Sequence, residues 1–356
     1  MSEVPFSSVI IPTYNRGHLL ARTLASFQEQ SYPADRFEIL VADNNSQDDT
    51  RERVAAIARV SRIPIHYLFE PRQGVHFARN SAAKSAQGTI LYFTDDDMEA
   101  DRALLGELVK VFDLDPRVGC ATGTILPRFS QPPPRWVERT MLNGLLSLTE
   151  ADQPEELVVS RRAFAYSCHQ AVQRDAFFRS GGFNPENTAG VWIGDGETGL
   201  NAKLRGLGYL FAFTAKSITY HVIPPERTTL GYLVRRLGNQ GFCDSYSEYR
   251  LHRNRAKLVG RMVRRNAVEV PKALARSLLR LAQRRESWRH LPAWASYFAR
   301  RNQYDLRLLT DSRFRRVVEI DDWIRDDDIA TDWLAEVLGA GARKSAARGA
   351  NQPTYL

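Results

Sequence analysis

The sequence contains little cysteine: three residues in 356, Cys120, Cys168 and Cys243, with no CxxC and no Cys/His spacing. Isolated thiols of this kind exclude a disulfide framework and a structural zinc site, and they read as small apolar residues in a reducing compartment. Long hydrophobic runs are also missing. No stretch is long enough for a bilayer-spanning helix, and Met1 to Phe6 has neither a basic n-region nor an apolar h-region. The expectation is therefore a cytoplasmic chain, neither secreted nor membrane-spanning. Two phosphate-binding signatures are absent as well. The segment Ser8-Val9-Ile10-Ile11-Pro12-Thr13-Tyr14-Asn15-Arg16 holds no GxGxxG, which excludes a Rossmann dinucleotide fingerprint, and no GxxxxGK[ST] occurs, which excludes a P-loop ATPase.

What the chain does have is positive charge, unevenly spread. The formal charge is +8, from 49 Lys and Arg against 41 Asp and Glu. Residues 227–316 hold 22 basic against 6 acidic side chains, whereas residues 1–226 hold 23 against 27 and residues 317–356 hold 4 against 8. A mildly acidic body is thus followed by a strongly basic segment and an acidic tail. The apolar content of 43% excludes a disordered chain, and the length suits one large domain with an appendage.

Through residue 126, compact β-branched runs alternate with stretches of helical period. Val9–Pro12, Ile39–Ala42, Ile65–Phe69, Thr89–Thr94 and Val118–Leu126 read as strands. Gly17–Gln30, His76–Ala86 and a segment capped by Asp101 and running to Phe112 read as helices, with Asn44–Asp49 as a turn and helix cap. Four strand–helix units predict an α/β nucleotide-binding fold, whose ligands sit at the carboxyl ends of the strands. Thr13, Asp43 and the triplet Asp95-Asp96-Asp97 all fall at such ends. Three adjacent carboxylates repel one another unless a cation relieves them, and Mg2+ or Mn2+ bridging a diphosphate does so with oxygen ligands. Tyr14 is placed to stack on a base, and Asp43 to accept from a base N–H.

Four segments then occur in order: Val9-Ile10-Ile11-Pro12-Thr13-Tyr14-Asn15, Val41-Ala42-Asp43-Asn44-Asn45-Ser46, Gly74-Val75-His76-Phe77-Ala78-Arg79-Asn80 and Tyr92-Phe93-Thr94-Asp95-Asp96-Asp97. Together they resemble family 2 glycosyltransferases of the GT-A fold, a Rossmann-like mixed sheet flanked by helices. The likeness continues more sparsely through Gly181-Gly182-Phe183, Asp195-Gly196-Glu197 and His221. It implies inverting, metal-assisted transfer of a sugar from a nucleotide-diphosphate donor, UDP-linked, to a hydroxyl acceptor in glycan, glycolipid or polysaccharide biosynthesis. It implies further that Pro12, Thr13 and Tyr14 line the nucleotide pocket, that Asp43 binds the base, and that Arg79 lies near the diphosphate or base. Asp95 or Asp96 would face the ribose and sugar, and Asp97 would bind a divalent Mn2+ or Mg2+ with His221 close by. Counting back from Gly208-Tyr209 puts Glu197 where relatives carry the Asp of a Glu-Asp pair, and Gly196 where they carry the Glu. Glu197 is therefore the first candidate for catalytic base and Asp195 the second. Arg227, Arg235 and Arg236 follow as candidates to neutralise diphosphate, while His169 reads as structural.

These readings divide the chain into a catalytic domain at 1–226, a helical basic extension at 227–340 and a tail at 341–356. Within the first, 1–126 forms the nucleotide-sugar half and 127–226 the acceptor and base half. In the extension, Leu251, Leu258, Val259, Met262 and Val263 form an apolar stripe, and Leu274, Leu278 and Leu281 form another, each interleaved with Arg. The aromatic run Trp288, Trp294, Tyr297 and Phe298 follows. Such cationic amphipathic helices suit an anionic membrane surface over 250–301; packing on the body or between two copies is the alternative. No recognised nucleic-acid motif is present, so no nucleic-acid partner is expected. A nucleotidyltransferase of similar fold, or a sugar-nucleotide or membrane-surface binding protein without turnover, are the competing functional readings.

Overall fold

A computed structural model describes residues 4–140, 143–149, 157–161, 164–283, 288–326 and 331–336; the expected tail at 341–356 lies outside the described residues. Strand and helix alternate through β1 (Ser7–Thr13), α1 (Gly17–Gln28), β2 (Phe37–Asp43), α2 (Thr50–Val60), β3 (Ile65–Phe69), α3 (Val75–Ser85) and β4 (Ile90–Thr94). Next come β5 (Met98–Ala100), α4 (Leu104–Lys110), β6 (Val118–Phe129), α5 (Arg135–Thr140), β7 (Leu157–Ser160), β8 (His169–Gln173) and α6 (Arg174–Arg179). A short hairpin, β9 (Asn187–Thr188) and β10 (Val191–Trp192), precedes α7 (Gly196–Gly206) and the long β11 (Leu210–Ile223). Helices complete the chain: α8 (Leu230–His252), α9 (Arg255–Arg264), α10 (Val270–Ala282), α11 (His290–Thr310) and α12 (Ser312–Val318).

The main sheet runs in the order β3-β2-β1-β4-β8-β6-β11-β5, with β7 also pairing β11. The first four strands are parallel, and β8 joins β4 to β6 by antiparallel pairing on both sides, so the sheet is mixed. Both faces of the central strands are covered, which is why they read as unbroken apolar runs. Val9, Ile11, Ile39, Val41 and Tyr92 pack beneath α1, α2 and α4 on one face, while Ile10, Leu40, Leu91 and Phe93 pack against α3, α6 and α7 on the other.

Two departures from the sequence pattern matter for the site. The helix expected from Asp101 to Phe112 starts later, at Leu104, because Asp101 closes a turn by accepting from the Ala103 N–H at 3.0 Å. The strand β5, only Met98-Glu99-Ala100, is too short to show a period. It forms because β11 lies alongside, with Thr219 opposite Ala100 and His221 opposite Met98. β11 changes partner along its length: Phe211–Thr214 pair with β7, the register shifts between Thr214 and Ile218, and Thr219–His221 pair with β5. His221 thus lies inside a strand and not after one.

From residue 227 the chain is helical, as expected, but its core is shared with the body. Phe242, Tyr246, Tyr249, Tyr304, Leu308 and Trp323 form one buried cluster with Phe77 of α3 and Ile193 beside β10. Helices α8 and α11 approach closely at two glycines. A Cβ on Gly241 would lie 2.3 Å from the Tyr297 carbonyl oxygen, and one on Gly238 would lie 2.4 Å from Ser296 Oγ. Part of the basic charge is spent inside this region: Arg265 pairs with Asp305 while both are buried, and Arg301 pairs with Glu248. The aromatic run divides in the same way, since Trp294, Tyr297 and Phe298 are half-buried against one another and Tyr297 donates to Asp244, whereas Trp288 is exposed.

His169 is structural, as its sequence context suggested. It is fully buried on β8, its Nε2–H donating to the Ser217 carbonyl at 3.1 Å and its Nδ1 accepting from Tyr92 Oη at 2.8 Å. Burial pushes the imidazole down from 6.5 to about 4. Two outcomes follow. Gly241→Ala is expected to cost about 1–3 kcal/mol of stability through overpacking, while Gly260→Ala on α9, where an added Cβ meets nothing within 4 Å, is neutral or raises Tm; thermal melts compare them. For His169, the unfolded chain takes up a proton near pH 6.5 and the folded chain only near 4, so stability falls as pH drops through that window, by on the order of 3 kcal/mol. Denaturant titrations of His169→Gln between pH 7 and 4 should show a shallower slope than wild type, and an identical slope would refute the assignment.

Candidate active site

The aspartate triplet ends β4, and the β5–β11 pairing folds the chain back so that its third member meets His221. Asp97 accepts from Arg227 at 2.8 Å and from Arg16 at 3.2 Å, both on Oδ2, while its Oδ1 lies 3.8 Å from His221 Nε2. Asp96 accepts from Thr13 Oγ1 at 2.8 Å and from Arg16 at 3.2 Å, and Asp95 pairs with the buried Arg79. Each carboxylate therefore meets a guanidinium, with Arg16 shared by Asp96 and Asp97, which is how the repulsion expected from the sequence is relieved. Burial pushes Asp96 up to about 6 against the pull of Arg16; burial opposes ionisation of Asp97 as well, but Arg227, His221 and Arg16 outweigh it and hold that carboxyl low.

His221 donates Nδ1–H to the Leu146 carbonyl at 2.8 Å, which leaves Nε2 as the nitrogen with the free lone pair, and Arg227 donates to it at 2.6 Å. The Arg227 fork thus spans Asp97 and His221, the pair expected from the sequence to hold a metal ion. Oxygen donors with one imidazole whose second N–H is fixed on a backbone carbonyl are a donor set that suits Mn2+ or Mg2+. The residues present fit such an ion.

One cavity of about 620 Å³ opens over this site. Pro12, Thr13, Tyr14, Arg79 and the three aspartates all line it, as the sequence suggested, and so do Arg227, Arg235 and Arg236. Asp43 does not. It is buried, with one oxygen accepting from Tyr67 Oη at 2.6 Å and the other from the Ser46 N–H at 2.9 Å. Its neighbour Asn44 faces the cavity instead. There Asn44 ties the loop before α3 in place, accepting from Gly74 N at 2.6 Å and donating to the Arg72 carbonyl at 2.7 Å.

Also lining the cavity, Glu197, in the first turn of α7, accepts from Ser167 Oγ at 3.2 Å. Asp195 is turned away. Asn184 holds one of its oxygens at 2.8 Å and Ser247 of α8 the other at 2.7 Å, so of the two carboxylates only Glu197 lines the cavity. A Cβ at Gly199 would lie 2.2 Å from Asp195 Oδ1, so the absence of a side chain there is what lets that network close. Two residues missed in the sequence join Glu197: Glu186 and His76 bring ligand atoms within 4.8 Å of it and of each other. Burial and the adjacent charge of Glu197 push Glu186 up to about 8, with Arg236 and Arg79 opposing. Burial and Arg79 drive the His76 imidazole well down. No local motif marks Glu186; it stands in Pro185-Glu186-Asn187, and only the hairpin that follows aims it inward.

Comparison with known proteins agrees with this geometry. Residues 8–181 match the model of the glycosyl transferase family 2. Glycosyltransferase AglE of Haloferax volcanii is 39% identical over 97 residues, 27% of this chain and 32% of that protein. The validoxylamine A glucosyltransferase of Streptomyces hygroscopicus subsp. jinggangensis is 42% identical over 96 residues, 26% of this chain and 22% of that protein. The matches thus span no more than a third of these relatives. In fold, the chain is similar to a mannosyltransferase from Pyrobaculum calidifontis solved with GDP-Man and Mn2+, with a TM-score of 0.55 and 22% identity over 87% of this chain and 89% of that one. Residues 8–181, just under half of the chain, thus match glycosyl transferase family 2, and the sheet is of the GT-A type.

Proposed function

We propose that the chain transfers a sugar, with inversion, from a nucleotide-diphosphate donor to a hydroxyl acceptor. The observation that carries this reading is a single cavity lined both by the cation-balanced aspartate triplet, whose Asp97 stands beside His221, and by Glu197. Glu197, oriented by Ser167, takes the acceptor proton as the acceptor oxygen attacks the anomeric carbon. The half-buried Glu186 beside it is pushed up to about 8 by burial and the Glu197 charge, which favours its protonated form at neutral pH and supports Glu197 as the base. Arg79 lies where it lowers the cost of charge building on the departing diphosphate. Asp97 and His221 would hold Mn2+ or Mg2+, which when bound supplies Lewis-acid stabilisation of the leaving diphosphate. Asp95 and Asp96 then serve the ribose and sugar, with Thr13 fixing Asp96. The mannosyltransferase neighbour was solved with GDP-Man, so UDP- and GDP-sugars are both donors to screen.

A second reading concerns the outer face of the extension. Leu251, Val263, Leu274, Leu278 and Leu279 are each about half exposed or more, and Arg253, Arg264, Lys272, Arg276 and Arg280 surround them. Among the described residues no helix is long and apolar enough to cross a membrane. This face suits an anionic bilayer, with the aliphatic side chains at the acyl boundary and the cations among headgroups.

The enzyme reading predicts metal-dependent release of a nucleoside diphosphate from a nucleotide sugar. Asp97→Ala should abolish transfer and metal-dependent donor binding. Glu197→Gln should lower kcat by about 10²–10⁴-fold with donor binding kept, while Asp195→Asn should lower Tm more than kcat. Full activity in Asp97→Ala, or pyrophosphate as product, would overturn the reading. For the membrane face, the protein should sediment with phosphatidylglycerol-containing vesicles at low salt and be released by high salt; failure to sediment disproves attachment.

A further inference from the structure

The half of the cavity remote from the aspartate triplet is walled by the β9–β10 hairpin and by helices α8 and α11, and the proposed reaction leaves most of it without a task. Its chemistry has two parts. The first is an aromatic platform. Trp192 lines the cavity with its indole N–H fixed on the Gly194 carbonyl at 2.8 Å, and its ring is stacked on Phe242 at 5.4 Å and 21°. A ring so held offers a flat apolar face to the C–H face of a sugar.

The second part is surplus positive charge. Arg16, Arg79 and Arg227 at the triplet end are each paired with an aspartate. Of the four arginines at the remote end, Arg307 lies 3.7 Å from Asp311, but Arg235, Arg236 and Arg300 pair with no carboxylate among the described residues. Two of these are held by aromatic rings, Arg300 over Phe242 at 5.2 Å and Arg235 over Tyr232 at 5.5 Å, a contact that leaves the N–H edge open, although Arg300 Nη1 also donates to Gln303 Oε1 at 3.0 Å. Guanidinium forks gathered on one wall repel one another, and a phosphate relieves that repulsion while taking paired N–H bonds. A neutral sugar uses none of that charge.

We propose that this half of the cavity binds an acceptor sugar carrying a phosphate ester, its ring on Trp192 and its phosphate on Arg235, Arg236 and Arg300. The inference rests on the glycosyltransferase reading and names its acceptor class. A free sugar phosphate and a prenyl-diphosphate-linked sugar share this chemistry.

The test is calorimetric, with the donor end saturated by UDP or GDP and Mn2+. Glucose, inorganic phosphate, glucose 1-phosphate and farnesyl-diphosphate-linked glucose are titrated into wild type, Arg300→Ala and Trp192→Ala. Glucose 1-phosphate should bind at least about tenfold more tightly than glucose, and Arg300→Ala should remove most of that preference, as expected for loss of a charged hydrogen-bonding partner. Trp192→Ala should weaken glucose 1-phosphate but not inorganic phosphate. Tighter binding of the prenyl compound than of glucose 1-phosphate assigns the acceptor to a lipid carrier, and equal binding assigns it to a soluble pool; both uphold the phosphate site. Glucose binding as tightly as its phosphate, or an unchanged preference in the exposed-residue variant Arg300→Ala, overturns the proposal. In either case Mn2+-dependent nucleotide binding, lost in Asp97→Ala, shows that the glycosyltransferase reading still stands, whereas its absence in wild type removes that reading instead.

Discussion

Three carboxylates at the end of a buried strand cannot be accommodated without cations, and the fold around Asp95, Asp96 and Asp97 is arranged to deliver them from distant parts of the chain. Arg16 arrives from the turn after β1, Arg79 from α3 and Arg227 from the turn before α8. His221 arrives by strand register alone, since pairing it opposite Met98 sets its ring beside Asp97. Each partner is thus a long-range contact, and losing one leaves a buried charge uncompensated. The site can exist only in the completed sheet.

The same logic governs the rest of the cavity wall. Glu197 takes its place from the start of α7, and that start is anchored by Asp195 through Asn184 and Ser247. Ser247 belongs to α8, so the extension holds the catalytic half in place and adds Arg236, Phe242, Arg300 and Tyr304 to the cavity wall. A segment that looks like an appendage in composition is a structural part of the site. Its basic charge has several destinations: buried pairs with Asp305 and Glu248, the remote cavity wall, and the outer face of α9 and α10.

Much of this was legible before any coordinates. The central strands β1, β2 and β4 are covered on both faces, so their apolar runs stand out, and Thr13 and the aspartate triplet at the ends of β1 and β4 line the cavity. What was not legible shares a cause. Asp43 ends its strand as expected but is bonded to Tyr67 of the neighbouring strand and is not among the cavity-lining residues. Asp195 matches Glu197 in chemistry and near position, and only the direction of its side chain separates them. Glu186 and His76 were missed because a lone Glu beside a proline, and a His inside a helix, carry no local signal of what they face.

By itself, the sequence determined the alternating strand–helix half, the ordered motifs that mark glycosyl transferase family 2, and the charge division between body and extension. These depend on local period and on residues close in the chain. The tertiary structure decided the pairing of β5 with β11 that joins His221 to Asp97, the inward turn of Glu186, and the packing of α8 and α11 through Gly238 and Gly241 that closes the cavity. Those contacts join residues far apart in the chain, and their geometry follows from strand register and helix approach, which no stretch of sequence encodes alone.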